Sequence, residues 1–496
     1  MKNGGVNQRI TRRKFLAGTV AVGTAAVVGR PWTRALEGST NRRPNLILIL
    51  ADDQRADSLG CAGNAVLRTP NIDGLASRGV RFTNSFATTA VCMTSRASIL
   101  TGLYARCHGI NDFDTPLPRQ IFEKSYPMLL RQAGYRTGFV GKWGLGGELP
   151  AADYDFFTGY GGQGRYFEPG NPKHLTVRVG EQAVEFIRGC SADQPFCLAV
   201  SFKAPHVQDE GRKEPGIYAK YPYDRALEGL YANDTVPGHG VMDVKPPPEF
   251  LNHTLNRLRE GPDFLPANYQ ETMKSLYRLI SGIDTAVGRI VEALRRQGLE
   301  ENTVIIYGAD HGSLYGEHGF GGKWIMYEPS IRTPLIICDP RMPAHQRGTT
   351  RDQMVLNIDL PPTLLALAGL TPPIAMQGRS LLPLVNQQPT SWRGEWFYEH
   401  LFRDGPIGPD SLIAASEGIR TERWKYIRYI DRVPVYEQLF DLKNDPREEN
   451  DLMGEMGTAS VLAEMRGRRE NWLNRFKSWQ PQNRWSEPWA LTRAAI

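Results

Sequence analysis

Four short aliphatic runs, each ending in charged or imidazole side chains, constrain the fold of this chain more than any other feature. Asn45–Leu50 runs into Ala51-Asp52-Asp53, and Tyr135–Val140 into Gly141-Lys142-Trp143. Phe196–Phe202 leads to Lys203, Pro205 and His206, and Thr303–Tyr307 to Gly308-Ala309-Asp310-His311. An uninterrupted apolar run reads as a strand buried on both faces, which belongs in a mostly parallel sheet covered by helices on either side. In such sheets ligands bind beyond the carboxyl ends of the strands, where loops converge and helix N-termini point inward. One strand ending in an aspartate means little; four that end in polar side chains imply a common site. The expected fold class is therefore α/β: a large, mostly parallel mixed sheet sandwiched by helices, with a smaller C-terminal α+β subdomain on a short antiparallel sheet.

Other segments fill in that frame. From Tyr269 to Arg296 apolar residues recur at helical spacing (Met273, Leu276, Ile280, Ile283, Val287, Ile290, Leu294), as a core-packing helix requires. Pro361–Leu370 reads as another helix, Glu417–Tyr429 and Glu437–Leu442 as short antiparallel strands, and Thr458–Phe476 as a terminal amphipathic helix. Gly159–Pro172, rich in glycine and aromatics, and Glu210–Pro266, rich in proline, tyrosine and charge, are long irregular insertions of the kind that serve as lids or substrate loops. The expected organisation is a signal segment over 1–35, a catalytic domain over 42–385, a C-terminal antiparallel-sheet subdomain over 386–485 and a tail over 486–496.

Charge and cysteine content narrow the function. The net charge of +6 is concentrated at the start, where residues 1–35 carry Lys2, Arg9, Arg12, Arg13, Lys14, Arg30 and Arg34 and no acid. The rest is close to neutral, so nothing in it calls for nucleic acid. Thr11-Arg12-Arg13-Lys14-Phe15-Leu16, followed by a short apolar run to Gly29, resembles a twin-arginine export signal. That implies the twin-arginine translocase as a partner and a periplasmic or secreted protein, with no stable membrane span in the mature form. The six cysteines are too few for a disulfide scaffold and contain no zinc-type CxxC pair, although Cys190 and Cys197 could form a local bridge.

The stretch Cys92-Met93-Thr94-Ser95-Arg96-Ala97-Ser98-Ile99-Leu100-Thr101-Gly102 places a cysteine at the start of a helix, with Ser95–Tyr104 as its body and an arginine four residues on. A helix N-terminus offers free N–H donors and suits an anion, whereas a buried cysteine ahead of an ordinary helix is the plainer alternative. The stretch resembles the CxPSRxxxxTG signature of formylglycine-dependent (type I) sulfatases of the alkaline phosphatase superfamily. Further segments occur in the same order as in that family: Leu50-Ala51-Asp52-Asp53, Gly141-Lys142-Trp143, Ala204-Pro205-His206, Ala309-Asp310-His311-Gly312, Gly321-Gly322-Lys323 and Leu439-Phe440-Asp441-Leu442. Singly, a lysine is usually a surface charge and an aspartate after a strand a helix cap; in this order they read as a site.

The resemblance, which spans about Asn45 to Leu452, implies an alkaline phosphatase-like fold and a sulfuric ester hydrolase. It implies that Cys92 is converted to formylglycine by a formylglycine-generating enzyme and that its hydrate is the nucleophile. Asp52, Asp53, Cys92, Asp310 and His311 would surround Ca2+, with Mg2+ as the alternative, since both favour oxygen ligands. Arg96 and Lys142 would orient the formylglycine and the sulfate, and His206 and Lys323 would sit by the bridging oxygen. His108 and His318 are assigned structural or substrate-loop roles. Two positions depart from the family pattern: Gly144 stands where a histidine is common, and Thr94 where proline or alanine is usual. The expected substrate is a sulfated carbohydrate or an aryl sulfate, met by the aromatic loops, by Trp396–His400 and by the insertion before Pro266. A phosphonate or phosphodiester hydrolase of the same superfamily and an inactive sulfated-glycan-binding homologue are the alternatives.

Overall fold

The computed structural model describes residues 42–208, 220–238, 251, 261–401 and 413–479. The proposed export signal and tail, and most of the Glu210–Pro266 insertion, lie outside the described residues. From Arg43 onward the described residues form one compact unit.

The centre of that unit is a sheet of nine strands: β1 Asn45–Asp52, β2 Val80–Phe86, β3 Arg136–Lys142, β4 Phe156–Tyr160, β5 Phe196–Pro205, β6 Thr303–Ala309, β7 Arg332–Cys338, β8 Thr349–Arg351 and β9 Val355–Leu356. Their spatial order is β8-β2-β7-β6-β1-β5-β3-β4, with β9 also paired to β2. All pairings are parallel except the two made by β7, which runs against β2 and β6. The four polar-ended runs are thus four neighbours in the order β6-β1-β5-β3, in agreement with the convergence expected from their sequence.

Strand geometry explains why those runs are apolar throughout. Successive side chains point to opposite faces, so Ile47 and Ile49 enter one core with the helix Leu175–Arg188 and the long helix Pro266–Arg296. Leu46, Leu48 and Leu50 enter a second core, on the other face, with Met93, Ala97 and Ile99 of α1 Cys92–Thr101. With no residue of β1 reaching water, alternation would serve no purpose, and all eight are buried.

A separate antiparallel sheet follows, with strands Glu395–His400, Ser416–Thr421, Trp424–Tyr429 and Tyr436–Asp441 in consecutive order, covered by the helix Ala459–Trp479. Its first strand corrects the reading of Trp396–His400 as pocket lining. Trp396, Phe397 and Tyr398 are fully buried in the core of this sheet, because a strand packed on both faces needs aromatics without any ligand. The Cys190–Cys197 bridge is not formed either. All six cysteines are free thiols; Cys197 lies within β5, while the Cys190 Sγ meets the Phe186 carbonyl at 3.2 Å.

Candidate active site

The four strand ends gather their polar side chains in one buried pocket, into which α1 points its first residue. Asp52 closes β1, and Asp53 follows it with φ +67°, a left-handed turn that an aspartate tolerates better than most side chains. The turn delivers two consecutive carboxylates to the same place. Lys142 ends β3 and donates to Asp52 Oδ2, while Gln163 Oε1 accepts from its Nζ at 2.6 Å. His206 follows β5, with Nε2 3.8 Å from Asp53 Oδ2. Asp310 and His311 follow β6. The Asp310 Oδ1 accepts backbone N–H bonds from Asp53 at 3.2 Å and His311 at 2.9 Å.

Cys92 is the first residue of α1, so the unpaired N–H groups and positive end of the helix dipole face the pocket. Its Sγ lies 3.3 Å from Asp52 Oδ1, 3.3 Å from His311 Nε2 and 3.0 Å from Lys323 Nζ. Lys323 also donates to Asp53 Oδ1 at 2.6 Å. Arg96, one turn along α1, spans the floor: Nε donates to Asp310 Oδ2 at 3.0 Å, Nη1 to the Lys142 carbonyl at 3.1 Å and to Ser201 Oγ, and Nη2 is 3.3 Å from Asp52 Oδ2. All nine residues singled out in the sequence therefore meet in one network.

Both departures from the family pattern have a local cause. Gly144 has φ +69°, and a Cβ there would fall 2.5 Å from Arg96 Cδ. The stem of the arginine occupies the space a larger side chain would need. Thr94 Oγ1 donates to the Ile110 carbonyl at 3.1 Å, anchoring the start of α1 to the loop that follows it. His108 is structural, with Nε2 3.1 Å from Ser98 Oγ and Nδ1 accepting from the Ile110 N–H, and His318 stacks on Tyr327.

Two contributors were not singled out in the sequence. Gln163 sits between Gly162 and Gly164, both at positive φ, so the loop turns back and lowers an uncharged amide onto Lys142. Ser201 was legible in principle as the one hydroxyl interrupting Leu198-Ala199-Val200-Ser201-Phe202; its Oγ donates to the Lys142 carbonyl at 2.7 Å and meets Arg96.

Burial and charge pull the titrating groups in different directions. Burial would raise the Asp52 carboxyl, but Lys142, Arg96 and Lys323 hold it well below the usual range. Asp53 is pushed well above that range by burial and by the Asp52 and Asp310 carboxylates, against the pull of Lys323. Burial lowers His206 well below its ordinary value, with Lys323 adding to the effect, and brings His311 down to about 4, so both rings are neutral. Burial also pushes the Cys92 thiol far up, with the Asp52 carboxylate adding to it. An unmodified thiol here is a poor nucleophile, since reactivity belongs to the thiolate.

The arrangement offers a site for a metal ion. Ligating atoms of Asp52, Asp53, Cys92 and His311 all lie within 4.8 Å of one another, and the Asp310 Oδ1 is 3.7 Å from His311 Nε2. The Nδ1 of His311 lies 2.9 Å from the Gly312 carbonyl, which assigns its proton there and leaves the Nε2 lone pair for the pocket.

Comparison with known proteins agrees with this geometry. The Sulfatase family model matches residues 44–370, and that of the N-sulphoglucosamine sulphohydrolase C-terminal region matches residues 316–474. The chain belongs to the sulfatase family and is a sulfuric ester hydrolase. It is 28% identical to an N-acetylglucosamine-6-O-sulfatase of Bacteroides thetaiotaomicron, over 89% of this chain and 88% of that one. It also resembles a protein solved in complex with its substrate D-glucosamine-2-N,6-O-disulfate, with a TM-score of 0.70 and 27% identity over 90% of this chain and 99% of the other. The phosphonate monoester hydrolase of Agrobacterium radiobacter shares the fold at a TM-score of 0.69 and 23% identity, covering 88% and 95% of the two chains.

Proposed function

We propose that this protein hydrolyses the sulfate monoester of a sulfated sugar, with formylglycine at position 92 and a calcium ion held by Asp52, Asp53, Asp310 and His311. The observation that carries the reading is the position of Cys92: first residue of a buried helix, with a lysine, a carboxylate and an imidazole within 3.3 Å of its sulfur. The sugar is favoured because relatives of this chain act on, or are solved with, sulfated glucosamine. The hydrated aldehyde would supply a hydroxyl to attack sulfur as the bond from sulfur to the ester oxygen breaks, and its second hydroxyl would let the sulfated enzyme expel sulfate and regain the aldehyde. The cation would supply a Lewis acid that offsets charge on the sulfate oxygens.

The protein's own side chains do the rest. Lys142 and Lys323 hold the sulfate in a water-poor pocket, where each charge acts more strongly than at a surface. Gln163 fixes the direction of Lys142, and Arg96 holds Asp310 and Asp52 in place. Lys323, on the Asp53 side of the pocket with His206 Nε2, supplies the positive charge that helps the alcohol depart. The paired arginines near the N-terminus support export to the periplasm or beyond, and among the described residues no helix is long and apolar enough to cross a membrane.

The test is the mass of the Cys92 peptide after co-expression with a formylglycine-generating enzyme, followed by sulfate release from a panel of sulfated hexosamines with phosphonate and phosphodiester esters as comparators. An aldehyde at position 92, calcium-dependent sulfate release and a higher Tm on adding calcium to chelator-treated protein are expected. Unmodified thiol despite a competent maturation system, with no turnover, would overturn the reading.

A further inference from the structure

The loop after β4 leads from solvent to the buried pocket in the space of one side chain. Gly161 and Gly162 are exposed, Gln163 is half-buried, and the Lys142 that it touches is 1% exposed. Glycines seat the loop there. Gly162 and Gly164 have φ +63° and +67°, and a Cβ at Gly164 would fall 2.5 Å from Tyr160 Cε2, so the loop lies against that ring. Tyr160 in turn pairs with Lys142 in the register of β3 and β4.

The Gln163 amide has two ends, and chemistry tells them apart. An ammonium only donates, so the atom 2.6 Å from Lys142 Nζ is the oxygen. The other end is Nε2, a donor; sharing one carbon with the oxygen, it lies within about 5 Å of Nζ. Among the described residues Nε2 has no hydrogen-bond partner, and it is not one of the buried polar atoms left without one, so it reaches water. Lys142 has a matching property: of its three donors, Asp52 and Gln163 take two. One ammonium donor and one amide donor are thus left close together.

Resting on the sulfatase reading, we propose that Gln163 binds the substrate directly, its Nε2 donating to one oxygen of the sulfate group while Lys142 holds another. Two donors this close suit the oxygens of a single tetrahedral anion, each at an ordinary hydrogen-bond distance of about 2.9 Å. A neutral amide adds the contact without adding charge, where Lys142, Lys323 and Arg96 already meet a sulfate ester that carries a single negative charge. One side chain thus orients the lysine through Oε1 and grips the sulfate through Nε2.

The test uses the full-length protein with calcium present. Calorimetry gives the Kd of inorganic sulfate, which needs no turnover, and the converted enzyme gives KM for D-glucosamine 6-O-sulfate. Gln163→Leu removes both hydrogen bonds, Gln163→Glu keeps an oxygen for Lys142 but loses the donor, and Tm checks that each variant folds. Both are expected to raise the sulfate Kd and the sugar KM in parallel, about tenfold or more. A crystal structure of the wild type with sulfate is expected to place an oxygen within about 3.2 Å of Nε2. Sulfate Kd within twofold of wild type in both variants overturns the contact while leaving the sulfatase standing. A rise in Gln163→Leu alone means that Gln163 only holds Lys142, and a rise in KM without Kd means that it meets the sugar; either overturns the proposal. So does a bound sulfate out of reach of Nε2, whatever the Kd values do. A wild type that neither binds sulfate nor releases it from any ester removes both the function and the contact.

Discussion

Lys425 and Lys323 are both buried against carboxylates, and they do different things with them. Lys425, in the third strand of the antiparallel sheet, forms ion pairs with Glu328 Oε1 at 2.8 Å and Glu448 Oε1 at 2.6 Å and donates to the Met326 carbonyl at 2.9 Å. An ammonium has three donors, so this network closes on itself and ties the C-terminal sheet to the segment after Lys323. Lys323 donates to Asp53 and also lies 3.0 Å from Cys92 Sγ, an atom that chemistry is to change. One network holds two parts of the fold together; the other converges on a reactive position. Buried charge alone therefore does not mark a site. Convergence on a nucleophile does.

The sharpest way to separate the two is to cut each. Cys92→Ala is expected to lower kcat/KM for sulfate release at least 10³-fold, because it removes the nucleophile, with little change in Tm. Asp53→Asn is expected to cost a comparable factor while raising the Tm of metal-free protein, since burial and two neighbouring carboxylates already disfavour its charge. Lys425→Met should show the reverse pattern. Breaking a buried pair strands two carboxylates and costs about 3–5 kcal/mol of stability, yet kcat/KM per folded molecule should stay within twofold. Denaturant unfolding paired with active-site-normalised turnover reads both, and a Lys425→Met enzyme that folds well but fails to turn over would erase the distinction.

A smaller effect is expected at Gly144. Alanine there must adopt φ +69° and place its Cβ 2.5 Å from Arg96 Cδ. Arg96 would shift off Asp310 and Asp52, and a 10- to 100-fold fall in kcat is expected, with folding retained. Equal turnover in Gly144→Ala would show that the position of Arg96 does not matter to the chemistry.

The legible parts of this molecule were those where polarity changes abruptly along the chain. Asp52, Lys142, His206 and Asp310 stood out because each ends an aliphatic run, and parallel topology then obliges them to meet. Their register extends a little past the expected ends, β1 to Asp52 and β5 to Pro205, because the strands continue into the site instead of stopping before it. Gln163 was illegible for the opposite reason. An amide between glycines carries no pattern, and only left-handed backbone turns on either side deliver it to the pocket. Trp396–His400 misled because aromatic density looks the same in a sugar pocket and in a strand buried on both faces.

A pH-dependent effect sharpens the comparison from the structural side. Burial and the neighbouring Glu328 push the Glu448 carboxyl from 4.5 up to about 7 despite Lys425, whereas Glu328, although buried, is held well below its ordinary value by Arg420 and Lys425 and stays ionised. A carboxyl with a raised folded value binds its proton more tightly in the native state. Its contribution to stability is complete below about 4.5, declines as pH climbs toward about 7 and is gone above that. Within that window the slope is at most about 1.4 kcal/mol per pH unit. Unfolding free energies of wild type and Glu448→Gln, measured from pH 5 to pH 8, should therefore differ by an amount that changes with pH up to about 7 and then levels off. A difference flat across the whole range would mean that Glu448 titrates as in the unfolded chain, and that the Lys425 network is no more poised than an ordinary ion pair.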